Sequence, residues 1–171
     1  SLYYMIRRTK ILDSHEIKLK INRLAWEIYE DNLSQEKIIL IGVTGRGEKL
    51  AKRINDILVK ISNINIQLGC INLDKDTPHD NPISVIPKDI EYADQNVILV
   101  DDVLNSGKTL IYACKYFLNT SLMSLSTVVL VERTHNRFPI KANYVGLSLA
   151  TTLQEYIKVE LEGKGQGVYL C

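Results

Sequence analysis

Val97-Ile98-Leu99-Val100-Asp101-Asp102-Val103-Leu104-Asn105-Ser106-Gly107-Lys108-Thr109-Leu110 is the stretch that decides how this chain folds. A wholly apolar run meets two adjacent carboxylates, small and polar residues follow, and a helical pattern begins. An apolar run of this kind is the pattern of a strand buried on both faces of a parallel sheet. Acids at the carboxyl end of such a strand stand where open α/β sheets bind ligands. The loop Asn105 to Thr109 leads into a helix N-terminus, whose free N–H groups and dipole favour a phosphate. Carboxylates accept from hydroxyls and amides hold phosphate, so the pairing suits a sugar phosphate. Neighbouring strand residues point to opposite faces. Asp101 and Asp102 are therefore expected either to have separate tasks or to sit where the strand is ending. A P-loop is rejected, because that pattern needs a glycine five residues before Gly107, where this chain has Asp102.

Working outward, the spacing predicts a helix over 14–32, capped by Asp13 with Glu16 three residues on. Ile17, Ile21, Leu24 and Ile28 form its apolar face. A buried strand is expected over 37–43, a tight loop at Thr44-Gly45-Arg46-Gly47, a helix over 48–61 and a strand over 64–73. From 74 to 89 charge and three prolines take over, which reads as a long mobile loop of the kind that forms a lid. A helix over 108–119 and strands over 125–132 and 143–147 follow. A turn at 162–166 between alternating segments 156–161 and 167–171 predicts a C-terminal β-hairpin. Strands alternating with helices imply an α/β fold, a mostly parallel twisted sheet with helices on both faces.

At 171 residues one domain over 1–171 is expected. A net charge of +1 and a pI near 7.7 argue against a strongly electropositive nucleic-acid surface. Nothing approaches the ~20 apolar residues of a membrane span, and Arg7, Arg8 and Lys10 are not followed by the apolar segment of a secretory signal. Cys70, Cys114 and Cys171 fit neither a disulfide framework nor a zinc pattern. Cys70 and Cys114 read as buried small residues in a reducing cytoplasm.

Arg46 offers a bidentate donor for phosphate oxygens, between glycines that let the backbone approach a ligand. A dinucleotide fingerprint fails, because Leu50 occupies the third small position.

The Asp101 stretch resembles the 5-phosphoribosyl-1-diphosphate (PRPP) motif of the type I phosphoribosyltransferases. The resemblance implies that Asp101 and Asp102 contact the ribose hydroxyls. Asn105, Ser106, Gly107, Lys108 and Thr109 would wrap the 5′-phosphate, and Thr44, Gly45, Arg46 and Gly47 would cradle the pyrophosphate. It also implies Mg²⁺, met by Asp101 and Asp102 indirectly through ribose or water. The segment 128–146 narrows the likeness. Its Glu132-Arg133 pair, His135, Pro139-Ile140-Lys141 and Tyr144-Val145-Gly146 resemble the pyrimidine-operon attenuator regulators that also act as uracil phosphoribosyltransferases. Arg23-Leu24-Ala25 and Leu50-Ala51-Lys52-Arg53 match them too, so the likeness covers nearly the whole chain. It implies PRPP and a nucleobase as partners, uracil first, and a homodimer or larger homo-oligomer. Lys141 resembles a lysine that contacts the base oxygen in hypoxanthine phosphoribosyltransferases; Val103, Arg133 and His135 complete the base-site set.

Two other functions stay open: an RNA-binding attenuator that keeps the PRPP site as a nucleotide sensor, and a 6-oxopurine phosphoribosyltransferase. Purine-type members carry an aspartate where this chain has Asn105, which cannot act as an acid at neutral pH. The regulators carry a Tyr-Arg pair in the hood, where this chain has Asn72-Leu73-Asp74-Lys75, so that only Lys75 offers a cation. In helix one they use a Thr-Arg pair and a His on RNA, where this chain has Asn22, Arg23 and Trp26. Those departures weigh against RNA. Trp26 reads either as a base-stacking residue or as a core or interface residue.

Overall fold

The computed structural model describes residues 8–151 and 155–171, and all the candidate site residues fall within them. The central sheet has the order β4-β3-β2-β5-β6-β7. It consists of β2 (Lys37–Val43), β3 (Asn65–Asn72), β4 (Ser84–Ile86), β5 (Asn96–Leu104), β6 (Ser124–Arg133) and β7 (Tyr144–Leu149). All neighbours are parallel except β4, which runs antiparallel to β3 at the edge. The helices are α1 (Ser14–Asp31), α2 (Arg46–Ile61) and α3 (Lys108–Phe117). A second sheet, β1-β9-β8, joins β1 (Thr9–Leu12) to the antiparallel pair β8 (Ile157–Glu160) and β9 (Gly167–Leu170).

Alternation within the apolar runs explains the two-sided burial. Ile38, Leu40, Ile98 and Val100 pack with α1 and α2. Their neighbours Ile39, Ile41, Val97 and Leu99 pack with Ala113, Cys114 and Phe117 of α3. A central strand covered on both sides has no polar face, so its sequence is uniformly apolar. Ile17, Ile21, Leu24 and Ile28 of α1 are fully buried, each contributing roughly 1.5–3 kcal/mol relative to exposure. Asp13 caps that helix: Glu16 N–H donates to its carboxylate at 2.8 Å, and the Asp13 N–H donates back to Glu16 at 3.2 Å.

Four expectations need correcting, and one strand is new. The strand β5 does not end at the acids but runs on to Leu104. Val103 packs on the α1–α2 side with Val100, and Leu104 packs with Leu110 of α3. Arg46 and Gly47 belong to α2 rather than to a loop, because Gly45 at φ 94° turns the chain into the helix two residues earlier. The 74–89 segment is not without secondary structure: it carries β4, paired through Val85 and Ile71. The strand β1 has no signal in the sequence; only four residues long, it is held by β9 rather than by local pattern. Finally, Cys114 is buried but Cys70 is partly exposed, because β3 lies next to the edge.

Candidate active site

Three segments converge at the carboxyl ends of β2 and β5. The turn after β2 brings α2 hard against the sheet. A Cβ at Gly47 would stand 2.7 Å from the Val100 carbonyl oxygen and 3.1 Å from Asp101 Cα. A Cβ at Gly42 would stand 2.6 Å from Glu48 Cα. Only glycine permits this approach, and it delivers Arg46 to the rim of the acid pair. Thr44 serves the turn itself: its N–H and hydroxyl both donate to the Ile71 carbonyl, at 2.9 and 2.8 Å.

Asp101 and Asp102 are both buried, at 2% and 9% exposure. The Asp102 N–H donates to Asp101 Oδ1 at 2.8 Å, and Lys75 Nζ stands 3.8 Å from the same oxygen. Burial, and then the adjacent Asp102 carboxylate, hold the Asp101 carboxyl well above the usual range, against the pull of Lys75. A carboxyl kept in this state favours whatever brings it hydrogen-bond donors or positive charge.

The loop from Asn105 to Thr109 enters α3 through Gly107, at φ 88°. A Cβ there would meet Ile140 Cγ2 at 2.3 Å, so packing as well as backbone conformation demands glycine. The Ser106 carbonyl accepts from the Arg137 and Phe138 N–H groups at 2.9 Å each, and Ser106 Oγ accepts from the Lys108 N–H at 3.2 Å. The loop is thereby fixed to the segment after β6, and its remaining first-turn amides lack intrahelical acceptors.

A cleft of about 220 Å³ unites Arg46, Lys75, Asp101, Asp102, Val103 and the whole Asn105–Thr109 loop. A neighbouring cleft of about 380 Å³ shares Asn105 and Ser106 and adds Arg133, His135, Asn136, Arg137 and Thr151. Arg133 Nε donates to Thr151 Oγ1 at 2.6 Å. The cleft thus sets two acids, which can accept from hydroxyls, beside a helix-entry loop with open amides and two cations, which can pair with anionic groups.

A family model, phosphoribosyl transferase domain, matches residues 7–160. The chain belongs to the phosphoribosyl transferase family. It is a pentosyltransferase by that membership. The chain is 34% identical over 171 residues to the bifunctional protein PyrR of Oceanobacillus iheyensis, covering 95% of each chain. It is 35% identical over 169 residues to that of Bacillus subtilis, covering 92% of each. Among solved structures it resembles the hypoxanthine phosphoribosyltransferase of Trypanosoma cruzi, with a TM-score of 0.77 at 17% identity over 95% of both chains. It also resembles a hypoxanthine-guanine phosphoribosyltransferase of Bacillus anthracis, with a TM-score of 0.70 at 21% identity, covering 86% of this chain and 83% of that one. At those identities the likeness is one of fold.

Within this phosphoribosyltransferase the candidate residues divide. Asp101, Asp102, Val103, Arg46 and the loop Asn105–Thr109 share one cleft; Arg133 and His135 line the next. Thr44, Gly45 and Gly47 shape the turn and line neither cleft, and Lys141 also lies outside both. Lys141 is exposed, and its carbonyl accepts from Thr127 Oγ1 at 2.7 Å. Two residues have no signal in the sequence: Ile157 of β8, which lines the main cleft, and Glu160, 3.8 Å from Arg46. Tertiary docking of the β8–β9 pair brings them there. Arg53 strengthens that docking by donating to the Leu161 carbonyl and to Gln166.

Proposed function

We propose that this protein transfers the 5-phosphoribosyl group of PRPP to uracil, giving UMP and pyrophosphate. The observation that carries the reading is the single cleft in which Asp101 and Asp102 adjoin the Asn105–Thr109 loop on one side and Arg46 and Lys75 on the other. The loop holds the 5′-phosphate by backbone amides, and the acids accept the ribose hydroxyls. Arg46 and Lys75 face the diphosphate.

In the reaction the bond from ribosyl C1′ to the pyrophosphate oxygen breaks and a bond to the base nitrogen forms. Positive charge develops on the sugar ring, and the buried carboxylates favour it. Arg46 and Lys75 receive the charge of the leaving group. Positioning supplies most of the rest, and the 74–89 segment closes to exclude water that would hydrolyse PRPP. Among the described residues no group of three or more His, Cys, Asp or Glu side chains is placed to hold a metal ion. The two adjacent acids suit Mg²⁺ carried in on the substrate, touched by Asp101 and Asp102 through ribose or water. Held there by Asp101 and Asp102, the ion would supply charge neutralisation to the diphosphate.

The neighbouring cleft supplies the base subsite. Asn105, Arg133, His135 and Asn136 offer amide, guanidinium and imidazole donors to a base rich in carbonyl groups. Asn105 stands in place of an acid that would protonate a purine. The resemblance to uracil phosphoribosyltransferases and the identity of about a third with proteins named PyrR support a pyrimidine. Among the described residues no helix is long and apolar enough to cross a membrane, which agrees with work in the cytoplasm. A panel of nucleobases incubated with PRPP and Mg²⁺ tests the reading. UMP formation from uracil is expected to dominate; much higher kcat/KM with hypoxanthine or guanine overturns it.

A further inference from the structure

Three cations on one face of α2, Arg46, Lys49 and Arg53, meet the strand β8 and the turn after it. Lys49 Nζ pairs with Glu162 at 3.1 Å. Arg53 donates to the Leu161 carbonyl at 3.5 Å and to Gln166 Oε1 at 3.3 Å. At the cleft end of this seam Arg46 Nη2 stands 3.8 Å from Glu160 Oε1. The same oxygen is 3.4 Å from Lys158 Nζ. Lys158 and Glu160 alternate with the buried Ile157 and Val159, so both lie on the outer face of β8. One carboxylate thus stands between two cations, and one of those cations lines the main cleft.

The contact between Arg46 and Glu160 is loose. At 3.8 Å it is too long for a hydrogen bond, and among the described residues the Arg46 guanidinium donates none. Glu160 therefore attracts Arg46 without engaging its N–H groups, which stay open to another anion. The Arg46, Glu160 and Lys158 side chains are each between a third and a half exposed, so solvent screens the attraction and keeps it small. A diphosphate accepts two parallel N–H bonds from a guanidinium and carries more charge than a carboxylate, so it displaces Glu160. Glu160 is not then left unpaired, because Lys158 is the nearer of its two cations.

We propose that Glu160 is a positioning residue that competes with the diphosphate for Arg46, with Lys158 retaining its carboxylate when Arg46 changes partner. The inference rests on the reading that sets the diphosphate of PRPP beside Arg46, and it holds whichever base is the acceptor. In the empty cleft Glu160 keeps the guanidinium at the rim. In the filled cleft its negative charge opposes the anion. Glu160 thus weakens the hold on PRPP and on the pyrophosphate product, and it eases the release of that product. UMP has no group at this end of the cleft, so its binding is indifferent to Glu160.

Calorimetric titrations of the full chain with magnesium pyrophosphate and, separately, with UMP test the exchange. Glu160→Gln keeps the size of the side chain and removes its charge. It should bind pyrophosphate about 2- to 5-fold more tightly than the wild type, the range of an exposed ion pair, with UMP affinity unchanged. Lys158→Met should bind pyrophosphate more weakly, and should lose that effect in combination with Glu160→Gln. A lysine acting on pyrophosphate directly would weaken binding in both backgrounds, which would overturn the exchange. The proposal is also overturned if Glu160→Gln leaves pyrophosphate affinity unchanged or lowers it, or shifts UMP affinity equally. Arg46→Gln separates the proposal from its premise. If it weakens pyrophosphate while Glu160→Gln has no effect, the competition alone falls. If Arg46→Gln leaves pyrophosphate affinity intact, the diphosphate does not lie beside Arg46, and both fall.

Discussion

The ammonium of Lys75 stands 3.8 Å from Oδ1 of Asp101, so the hood places a cation on the most deeply buried acid of the cleft. The next residue is tied as well: Lys108 Nζ donates to the Asp76 carbonyl at 2.7 Å. Consecutive hood residues thus touch the acid pair and the start of α3. Bound PRPP would replace the first contact, offering hydroxyls to Asp101 and diphosphate oxygens to Lys75. Lys75→Met should lower kcat/KM for PRPP about 10- to 100-fold, the loss of one charge-assisted hydrogen bond of roughly 1.5–3 kcal/mol. Melting temperature at neutral pH should fall, because the buried Asp101 loses the cation that opposes its desolvation. Steady-state kinetics beside thermal melts check both.

Asp101 should show opposite effects on binding and stability. Its carboxyl is held well above the usual range, mainly by burial. A raised carboxyl binds its proton more tightly in the folded chain than in the unfolded one. Its penalty on stability is therefore absent below the ordinary carboxylate pKa and grows as pH rises towards the raised value. Asp101→Asn removes that penalty. It should melt with the wild type near pH ~3.5 and higher than the wild type at pH ~7. Every tenfold gain in proton affinity on folding corresponds to about 1.4 kcal/mol, or ~3–6 °C in Tm. Together with Asp102→Asn it should abolish PRPP binding by calorimetry. Unchanged affinity would remove the acids from the ribose site.

Gly107 is held by both φ 88° and the Ile140 side chain. Gly107→Ala should cost about 2 kcal/mol or more in urea unfolding and weaken UMP more than free uracil. Ile140→Ala in the same chain should recover part of the stability, because the 2.3 Å approach disappears while the backbone strain stays. Equal losses for UMP and uracil would argue against a phosphate role for the loop.

RNA should bind poorly. The guanidinium of Arg23 is already engaged by Glu27 and by the Val145 and Gly146 carbonyls, at 3.2 and 2.7 Å for the two carbonyls. Its transfer to a phosphate would break contacts within the fold. A gel-shift titration with a pyrimidine-leader hairpin at physiological salt should show no nanomolar complex. UMP-stimulated nanomolar binding would move the protein to the regulator class.

The parallel sheet is legible in the sequence because its strands are covered twice: Ile98 and Leu99 serve opposite layers, and no polar residue interrupts them. The cap of α1 and the Asn105–Thr109 loop are legible for a related reason, each being decided by neighbours in sequence. β1 and β4 are not, since three or four residues carry no period of their own and are fixed by partners far along the chain. In the cleft, acids and loop are visible as one motif. Ile157 and Glu160 are not, because docking of β8 and β9, not spacing, puts them near Arg46. Gly107 is visible as a necessary glycine, but its packing neighbour, Ile140, lies beyond the reach of local pattern.

The pairing of Thr9 with Leu170 carries a kinetic meaning. β1 supports β9, β9 supports β8, and the first residue of β8 lines a wall of the main cleft. Closing a ladder between residues so distant in sequence is among the slowest events available to a folding chain. During synthesis the layered body can assemble while the wall is still missing. The emerging polypeptide should stay inert towards PRPP until β1 and β9 have met, so the onset of activity would time the final stitch of folding rather than the collapse of the core.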